Sequence, residues 1–339
     1  MSTLPPVTVA IVTHDSADDL PACLAAIGRL EHRPLDLVVV DCASRDASVE
    51  IARRHLPPGL PAAVEPLGEN RGFAGGMNAA LALARGEWVL TLNADAVPRP
   101  DFVGRLLGAP ALPSSSRRPD ANRVAAVTGR LVRPAAGAEG GRLDACGMRL
   151  VPTWRHLDRG SGAVDRGQLA AAARVFGATG AATLWRRTAL EDAAVDGEIF
   201  DPRFHSYRED AELCFRLRER GWEVLYEPSA VAEHRRHNLP ARRSQMAAAI
   251  NFHSLKNRYL LRLYHQTPLN LATTLVPALA RDALALAYVL VRERESLAAY
   301  AWLWRHRGEL RRRRRAIQAR RLVGALELER WFWRSALPW

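Results

Sequence analysis

Asn93 and Asp95 stand two residues apart where the apolar run of "VLTLNADAVPRPDF" (residues 89–102) gives way to polar groups. In an extended strand, residues i and i+2 point to the same side, so this amide and carboxylate can face one ligand together. Taken alone, a strand-end turn with Pro98 and Pro100 behind it is the simpler account. Other groups could join the pair. Asp41 closes the apolar stretch "LDLVVVD". Glu209 and Asp210 open "EDAELCFRLRERG", where the unpaired N–H groups of a helix start favour a carboxylate; a plain helix cap is the alternative. His234 ends "AVAEH". A lone histidine is more often a core or surface residue, but a neutral imidazole beside a carboxylate and phosphates suits Mg²⁺ or Mn²⁺. In "NRGFAGGMN", Gly75, Gly76 and the first-turn N–H groups could approach a phosphate closely, with Arg71 and Asn78 nearby. That loop matches neither GxxxxGK[ST] nor GxGxxG, and tight helix packing explains its glycines equally well.

Bringing these groups together requires strands that end side by side. "VTVAIVTHD" predicts a first strand with Thr13, His14 and Asp15 at its end. "SADDLPACLAAIGRL" places Leu20, Leu24 and Ile27 at helical spacing, with Asp15 or Ser16 as N-cap. "LDLVVVDCAS" predicts a second strand buried on both faces, and "SRDASVEIARRHL" a helix capped by Ser44 or Asp46. "AAVEPLG" reads as a third strand; the glycine loop then leads into a helix ending at Gly86, and "EWVLTLNAD" is the next strand. Strand–helix alternation of this kind argues for a parallel sheet with helices on both faces, which binds ligands at the carboxyl ends of its strands.

Further along, residues 110–122 form a polar loop, "VAAVTGRLVRP" resumes strand character, and residues 134–173 read as hairpins and loops around the site. "YREDAELCFRLRERG" is an amphipathic helix stopped by Gly221. "WEVLYEPSAVAEH" is expected as two short strands broken by Pro228, and the pattern is helical from about Arg243 onward.

Four scattered cysteines among 339 residues, with no CxxC pair, argue against a disulfide framework or a zinc site and fit a reducing compartment. The first residues lack the basic and long apolar regions of a signal peptide. The formal charge of +12 is concentrated in the last third, in "EHRRHNLPARR", "LKNRYLLRLYH" and "RHRGELRRRRRAIQARR". Such a block suits a polyanionic partner, either nucleic acid or an anionic membrane surface; solvated helix faces are the plain alternative. "TPLNLATTLVPALARDALALAYVLVRER" is apolar, but Arg281-Asp282 interrupts it, so a re-entrant or surface helix is expected rather than a spanning one. Trp302 and Trp304 alternate with arginine clusters, as in basic helices that lie in an anionic lipid interface. No zinc-finger or RNA-recognition motif supports the nucleic-acid reading.

Read in order, "VTVAIVTHDSADDLPACL", "VVVDCASRDASVEIA", "NRGFAGGMNAAL", "ARGEWVLTLNAD", "GATGAATLWRR", "FDPRFHSYREDAELCFRLRERGWEVLYEPSAVAEH" and "LKNRYLL" resemble family 2 glycosyltransferases, nearest to their rhamnosyltransferase-like branch. The likeness covers about residues 6–262. It implies an α/β fold of the GT-A type, a Rossmann-like, mostly parallel nucleotide-binding sheet flanked by helices, here with an α-helical C-terminal extension. The expected division is a catalytic domain over 1–240 (nucleotide-binding half about 1–130, acceptor half about 131–240) and a basic, aromatic helical region over 241–339.

The resemblance also implies roles. Asn93-Ala94-Asp95 takes the place of the DxD motif, and Asp95 would bind the metal and the diphosphate. Asp41 matches the acid that contacts the base. Thr13, His14, Asp15, Arg71, Gly75, Gly76 and Asn78 match the nucleotide pocket. Asp210 matches the catalytic base, and His234 the histidine that completes a Mg²⁺ or Mn²⁺ site. Trp185, Glu209 and Arg258 are expected on the acceptor side. His14-Asp15 stands where Tyr-Asn is frequent, Cys42 where Asn is frequent, and Asn93 where the first Asp usually stands, which predicts weaker metal binding.

The expected reaction is inverting transfer from a dTDP- or UDP-sugar, dTDP-L-rhamnose among them, to a glycan or polyprenyl-diphosphate-linked acceptor in bacterial surface polysaccharide synthesis. A hexosyl or galactofuranosyl donor is the alternative within the family. Outside it stand a sugar nucleotidyltransferase and a basic nucleic-acid-binding protein. The expected location is cytoplasmic, peripheral at the inner face of the cell membrane, with a homo-oligomer left open.

Overall fold

The computed structural model describes residues 4–109, 121–134, 141–236, 248–335 and 337–338. The polar loop expected at 110–122 and the basic stretch through 243 therefore lie largely outside the described residues, as does the expected boundary at 240. The chain begins with β1 (Val7–Thr13), α1 (Leu20–Gly28), β2 (Leu35–Asp41), α2 (Ser48–Arg54), β3 (Ala62–Pro66), α3 (Gly72–Leu83), β4 (Trp88–Asn93), β5 (Ala96–Pro98) and α4 (Phe102–Gly108). It continues with β6 (Val124–Arg133), β7 (Arg142–Ala145), β8 (Met148–Val151), β9 (Arg155–Asp158), β10 (Ala173–Val175), β11 (Ala182–Arg186), α5 (Arg187–Ala193), α6 (Glu209–Glu219) and β12 (Glu223–His234). Helices α7 (Ala248–His265), α8 (Pro268–Arg292), α9 (Ala298–Arg305), α10 (Arg307–Ala319) and α11 (Ala325–Trp333) precede a last short strand, β13 (Leu337–Pro338).

Most strands join one sheet in the order β13-β10-β12-β6-β11-β4-β1-β2-β3. Its N-terminal half, β3-β2-β1-β4, is entirely parallel. Beyond β4 the pairing is mixed, since β11 runs antiparallel to both β4 and β6. Near-continuous apolar residues in β1, β2 and β4 follow from burial on both faces: one face packs on α1 and α4, the other on α3 and α6. The register sets Thr13 opposite Asp41 and Val12 opposite Asn93, so three polar strand ends lie together.

Several boundaries differ from the sequence expectation. Helix α1 starts at Leu20, because residues 16–19 first make a turn in which the Asp19 and Leu20 N–H groups donate to the Ser16 carbonyl. Asp46 serves the start of α2 by accepting from the Ser48 N–H at 3.0 Å. Pro228 does not break β12; the strand continues past it with a register shift between Glu227 and Val231, a bulge that leaves the proline's missing N–H unneeded. Arg281-Asp282 and Pro277 do not interrupt α8, which is continuous over 25 residues.

The C-terminal helices share the core of the sheet. Leu260, Leu261 and Tyr264 of α7 and Trp331 and Phe332 of α11 belong to the apolar cluster that holds Trp154, Phe176 and Phe215. All four cysteines are buried and unbridged.

Candidate active site

The loops after β1, β2 and β3 are cross-linked by their own polar groups. His14 Nδ1 lies 2.8 Å from the Cys42 carbonyl, and its Nε2 lies 3.1 Å from the Asn70 amide. Asp15, at φ 51°, accepts from the Arg45 N–H at 2.7 Å. Asp41 is buried and accepts from the Ser44 N–H at 2.9 Å and from the Ser44 hydroxyl. Thr13 is buried at the same level, and its hydroxyl oxygen has no hydrogen-bond partner. A buried orphan hydroxyl at the carboxyl end of a parallel sheet is a group suited to a ligand.

Helix α3 opens at Gly72, whose φ of +63° and close approach to the His205 carbonyl leave no room for a side chain. Gly76 packs the helix onto β1 and β2, since a Cβ there would meet Cys42 and Val12 at 2.7 Å. Packing thus accounts for Gly76, while Gly75 faces the Arg71 side chain. Arg71 is exposed and pairs with Glu69 at 3.0 Å, a weak surface pair that a ligand can replace.

At the end of β4 the chain does turn, and the turn aims Asp95 at β12. His234 Nε2 lies 3.2 Å from Asp95 Oδ1 and 3.4 Å from the Asn93 amide nitrogen. On the other side, His234 Nδ1 lies 2.7 Å from Asp144 Oδ2. Two carboxylates flanking one buried imidazole outweigh its desolvation and lift its pKa to about 9. Asp144 is also reached by Arg133 at 3.1 Å and Arg236 at 3.3 Å, and Arg236 binds Asp158 at 2.7 Å. The Arg236 N–H donates to Asp95 Oδ2 at 3.1 Å.

Asp95 and His234 would suit a divalent ion, the imidazole ligating through Nε2 once that nitrogen gives up its proton. Asp144 behind the imidazole is the carboxylate that fixes a ligating histidine's tautomer. Among the described residues, no group of three or more His, Cys, Asp or Glu is arranged to hold a metal by protein atoms alone.

Asp210 sits in the first turn of α6. Its carboxylate accepts from the Gly180 N–H at 3.2 Å and the Ala211 N–H at 2.7 Å. Burial raises its pKa to about 6; nearby Asp158 adds to the rise, and the two N–H groups and Arg236 oppose it. Glu209 beside it is buried, with Oε2 unpartnered, and burial and the Asp210 charge hold its carboxyl well above the usual range. A strained segment leads into this turn: His205, Tyr207 and Arg208 have φ of 62°, 69° and 74°. Asn257 of α7, fully buried, holds it by donating to the carbonyls of Phe204, Ser206 and Tyr207 at 2.8, 2.9 and 2.7 Å. The same segment grips α3, where the Ala74 N–H donates to the His205 carbonyl at 2.9 Å.

Three expected site residues are engaged elsewhere. Trp185 is wholly buried in the core, its indole N–H donating to Thr91 at 3.0 Å, because β11 is a central strand. Asn78 spends both ends of its amide on the Phe200 backbone, at 2.7 and 2.9 Å. Arg258 pairs with Asp282 of α8 at 2.5 Å and pins α8 on α7. Conversely, Asp144, Asp158, Arg236 and Asn257 were not singled out. Asn257 left a sequence trace within "LKNRYLL" and Arg236 within the basic stretch "EHRRHNLPARR", whereas the acids come from short strands with no pattern of their own.

The chain is similar to known proteins in sequence and in fold. Residues 8–109 match the family model described as glycosyl transferase family 2. Over these residues the chain is similar to family 2 glycosyltransferases. Over 251 residues it is 29% identical to N-acetylglucosaminyl-diphospho-decaprenol L-rhamnosyltransferase of Mycobacterium tuberculosis, covering 68% of this chain and 76% of that protein. Over 140 residues it is 31% identical to the succinoglycan biosynthesis protein ExoO of Rhizobium meliloti; that match spans 41% of this chain and 40% of ExoO. Among solved structures, GalNAc-T7 with UDP, GalNAc and Mn²⁺ superposes with a TM-score of 0.58 at 14% identity, over 78% of this chain and 48% of that one. The mannosyltransferase PcManGT of Pyrobaculum calidifontis, in complex with GDP-Man and Mn²⁺, gives 0.52 at 21% identity, over 93% and 86%. The fold of the chain is of the GT-A type.

Proposed function

We propose that this glycosyltransferase moves a sugar, L-rhamnose from dTDP-L-rhamnose, to a hydroxyl of a lipid-linked glycan at the inner face of a bacterial membrane. The observation that carries it is one continuous set of contacts. Asp95, His234, Asp144, Arg236 and Asp158 touch in series, and the last two act directly on the charge of Asp210. A diphosphate clamp is thereby linked to a single carboxylate poised to take a proton. The rhamnosyl donor and the polyprenyl-linked acceptor rest on the similarity to the mycobacterial enzyme.

In this reading, residues 1–130 hold the nucleotide, with Asp41 and Thr13 toward the base and ribose and Arg71 toward the phosphates. Asp210 accepts the acceptor's O–H proton as that oxygen attacks the anomeric carbon. The new C–O bond forms on the face opposite the breaking bond to phosphate, so configuration inverts, and the nucleoside diphosphate leaves. Asp95 and His234, its Nε2 deprotonated, would hold a divalent cation, and that cation would supply positive charge to the leaving diphosphate. Asp144 keeps Nδ1 of His234 protonated so that Nε2 faces the clamp. Glu209 stays neutral and limits the buried pair to one negative charge.

The test is a thermal-shift screen of nucleoside diphosphate sugars with and without Mn²⁺ or Mg²⁺, followed by product analysis. Metal-dependent stabilisation by dTDP-L-rhamnose and release of dTDP with an acceptor are expected. Release of pyrophosphate from a nucleoside triphosphate and a sugar 1-phosphate would instead identify a nucleotidyltransferase.

A further inference from the structure

Helix α8 has two unlike faces. Its inward face is polar at intervals and fully engaged. Thr267 and Asn270 close a capping box, and Asn270 also bonds Glu329 of α11. Thr274 accepts from the Trp154 indole at 2.8 Å. Asp282 receives Arg258 at 2.5 Å and Arg262 at 2.6 Å, both from α7. Asn270, Thr274, Ala278 and Val289 are buried, at the three-to-four-residue spacing of a single stripe. The rest of the helix is open and apolar. Val276, Leu284 and Val291 are 77, 66 and 72% exposed, with Leu275, Leu279 and Leu290 beside them. From Leu271 to Val291 the only charges are Arg281 and Asp282, and both are partly buried.

We propose that α8 is an interfacial helix that lies flat on an anionic lipid bilayer through this face. This deepens, and rests on, the reading of a lipid-linked acceptor. At 25 residues the helix is about 37 Å long, enough to cross a bilayer by length alone. Crossing would strip Asp282 from two arginines and Thr274 from the Trp154 indole, leaving buried polar groups unpaired in hydrocarbon. Lying parallel to the surface keeps all of these bonds and buries only the apolar side.

Charge selects the lipid over a second copy of the chain. Residues 241–339 carry 19 Arg and Lys against 6 Asp and Glu. Two such regions repel each other, whereas an anionic leaflet attracts them. Trp304 and Trp333, 69 and 60% exposed in this region, have the amphipathic form favoured at the headgroup level.

The experiment uses the full chain, with the double variant Val276→Glu/Leu284→Glu beside it. Cosedimentation is measured with vesicles of phosphatidylcholine alone and with about 30% phosphatidylglycerol added, while donor turnover is followed with a detergent-free, water-soluble acceptor. Expected are binding to the anionic vesicles only, weakening at least about tenfold in ~0.5 M salt, and loss of at least about tenfold in the double variant with soluble-acceptor turnover kept. Because both positions face outward, thermal melting of the variant should match the parent. A second pair, Arg311→Glu/Arg315→Glu, should lower the salt dependence while leaving the apolar contact. Absence of vesicle binding by an active parent enzyme would overturn the proposal without touching the transferase reading. So would a stable dimer, seen by light scattering, that the Glu pair dissociates. A chain extracted from cell membranes only by detergent would overturn the flat orientation. Failure of all sugar transfer with vesicle binding intact would overturn the transferase chemistry alone.

Discussion

Replacing Asp210 with Asn should abolish turnover and stabilise the protein, a combination that few other assignments produce. The carboxylate of Asp210 titrates near 6 in the folded chain against an ordinary value of 3.8. Two pKa units correspond to about 3 kcal/mol of folding free energy given up when the group ionises. Because the folded pKa is the higher one, the stability carried by the protonated acid is fully present below about pH 4. It is lost as pH rises toward 6 and is absent above that. Asn cannot ionise, so the variant avoids the loss. Its amide keeps one of the two N–H contacts, from Gly180 or Ala211, and sacrifices the other at a cost of about 1 kcal/mol.

The net gain at pH 7.5 is therefore about 1–2 kcal/mol, or a rise in Tm of about 1.5–3 °C for a chain of 339 residues. Relief of Glu209, which faces the same charge, acts in the same direction. The assay pairs melting curves from pH 4 to 8 with single-turnover donor consumption and with nucleoside diphosphate binding. The stability difference should grow from pH 4 to 6 and then level off. The turnover rate should fall about 10²–10⁴-fold while nucleotide affinity is retained. Full activity in the variant would refute the role of base. A variant less stable than the parent at every pH would refute the buried-charge argument, whatever its activity.

Asn257→Ala leaves the Phe204, Ser206 and Tyr207 carbonyls without their shared donor, so a loss of at least about 3 kcal/mol is expected by chemical denaturation. Because those carbonyls set the strained turn ahead of Asp210, kcat should fall more than KM rises, and Asn257→Asp, isosteric but acceptor-only, should be worse than Ala. Asp144→Asn should weaken Mn²⁺ binding about 10–100-fold by calorimetric titration, while metal-free nucleotide binding stays unchanged.

What was legible in the sequence was whatever a local pattern records. The parallel half of the sheet follows from apolar runs in β1, β2 and β4 alternating with helical spacing, and its polar ends mark the ligand edge. Asn93, Asp95 and His234 do converge, as their positions at strand ends suggested. Asp144, Asp158 and Arg236 were invisible because strand pairing brings them in from β7, β9 and the end of β12, a distance no local pattern encodes. Two expected site residues are engaged elsewhere for the complementary reason. Trp185 and Asn78 lie next to site motifs in sequence, but a strand and a helix send their side chains inward, where packing decides their partners.

The neutral Asn93 fits the charge balance of its surroundings. With no cation bound, Asp95, Asp144 and Asp158 face Arg133, Arg236 and a His234 held protonated by its two carboxylate neighbours, so three negative charges meet three positive ones; a cation ligated by Nε2 would take the place of that nitrogen's proton. A fourth carboxylate at position 93 would be in excess in a largely buried site, where an unpaired charge costs several kcal/mol. Asp144, behind the imidazole, supplies from the second layer the negative charge that an aspartate at position 93 would supply from the first. The substitution thus moves charge away from the diphosphate itself, lowering repulsion toward the anionic ligand while keeping the imidazole oriented for a cation. In the reading proposed above, a site so balanced would bind metal and nucleotide best together, each supplying the charge the other lacks.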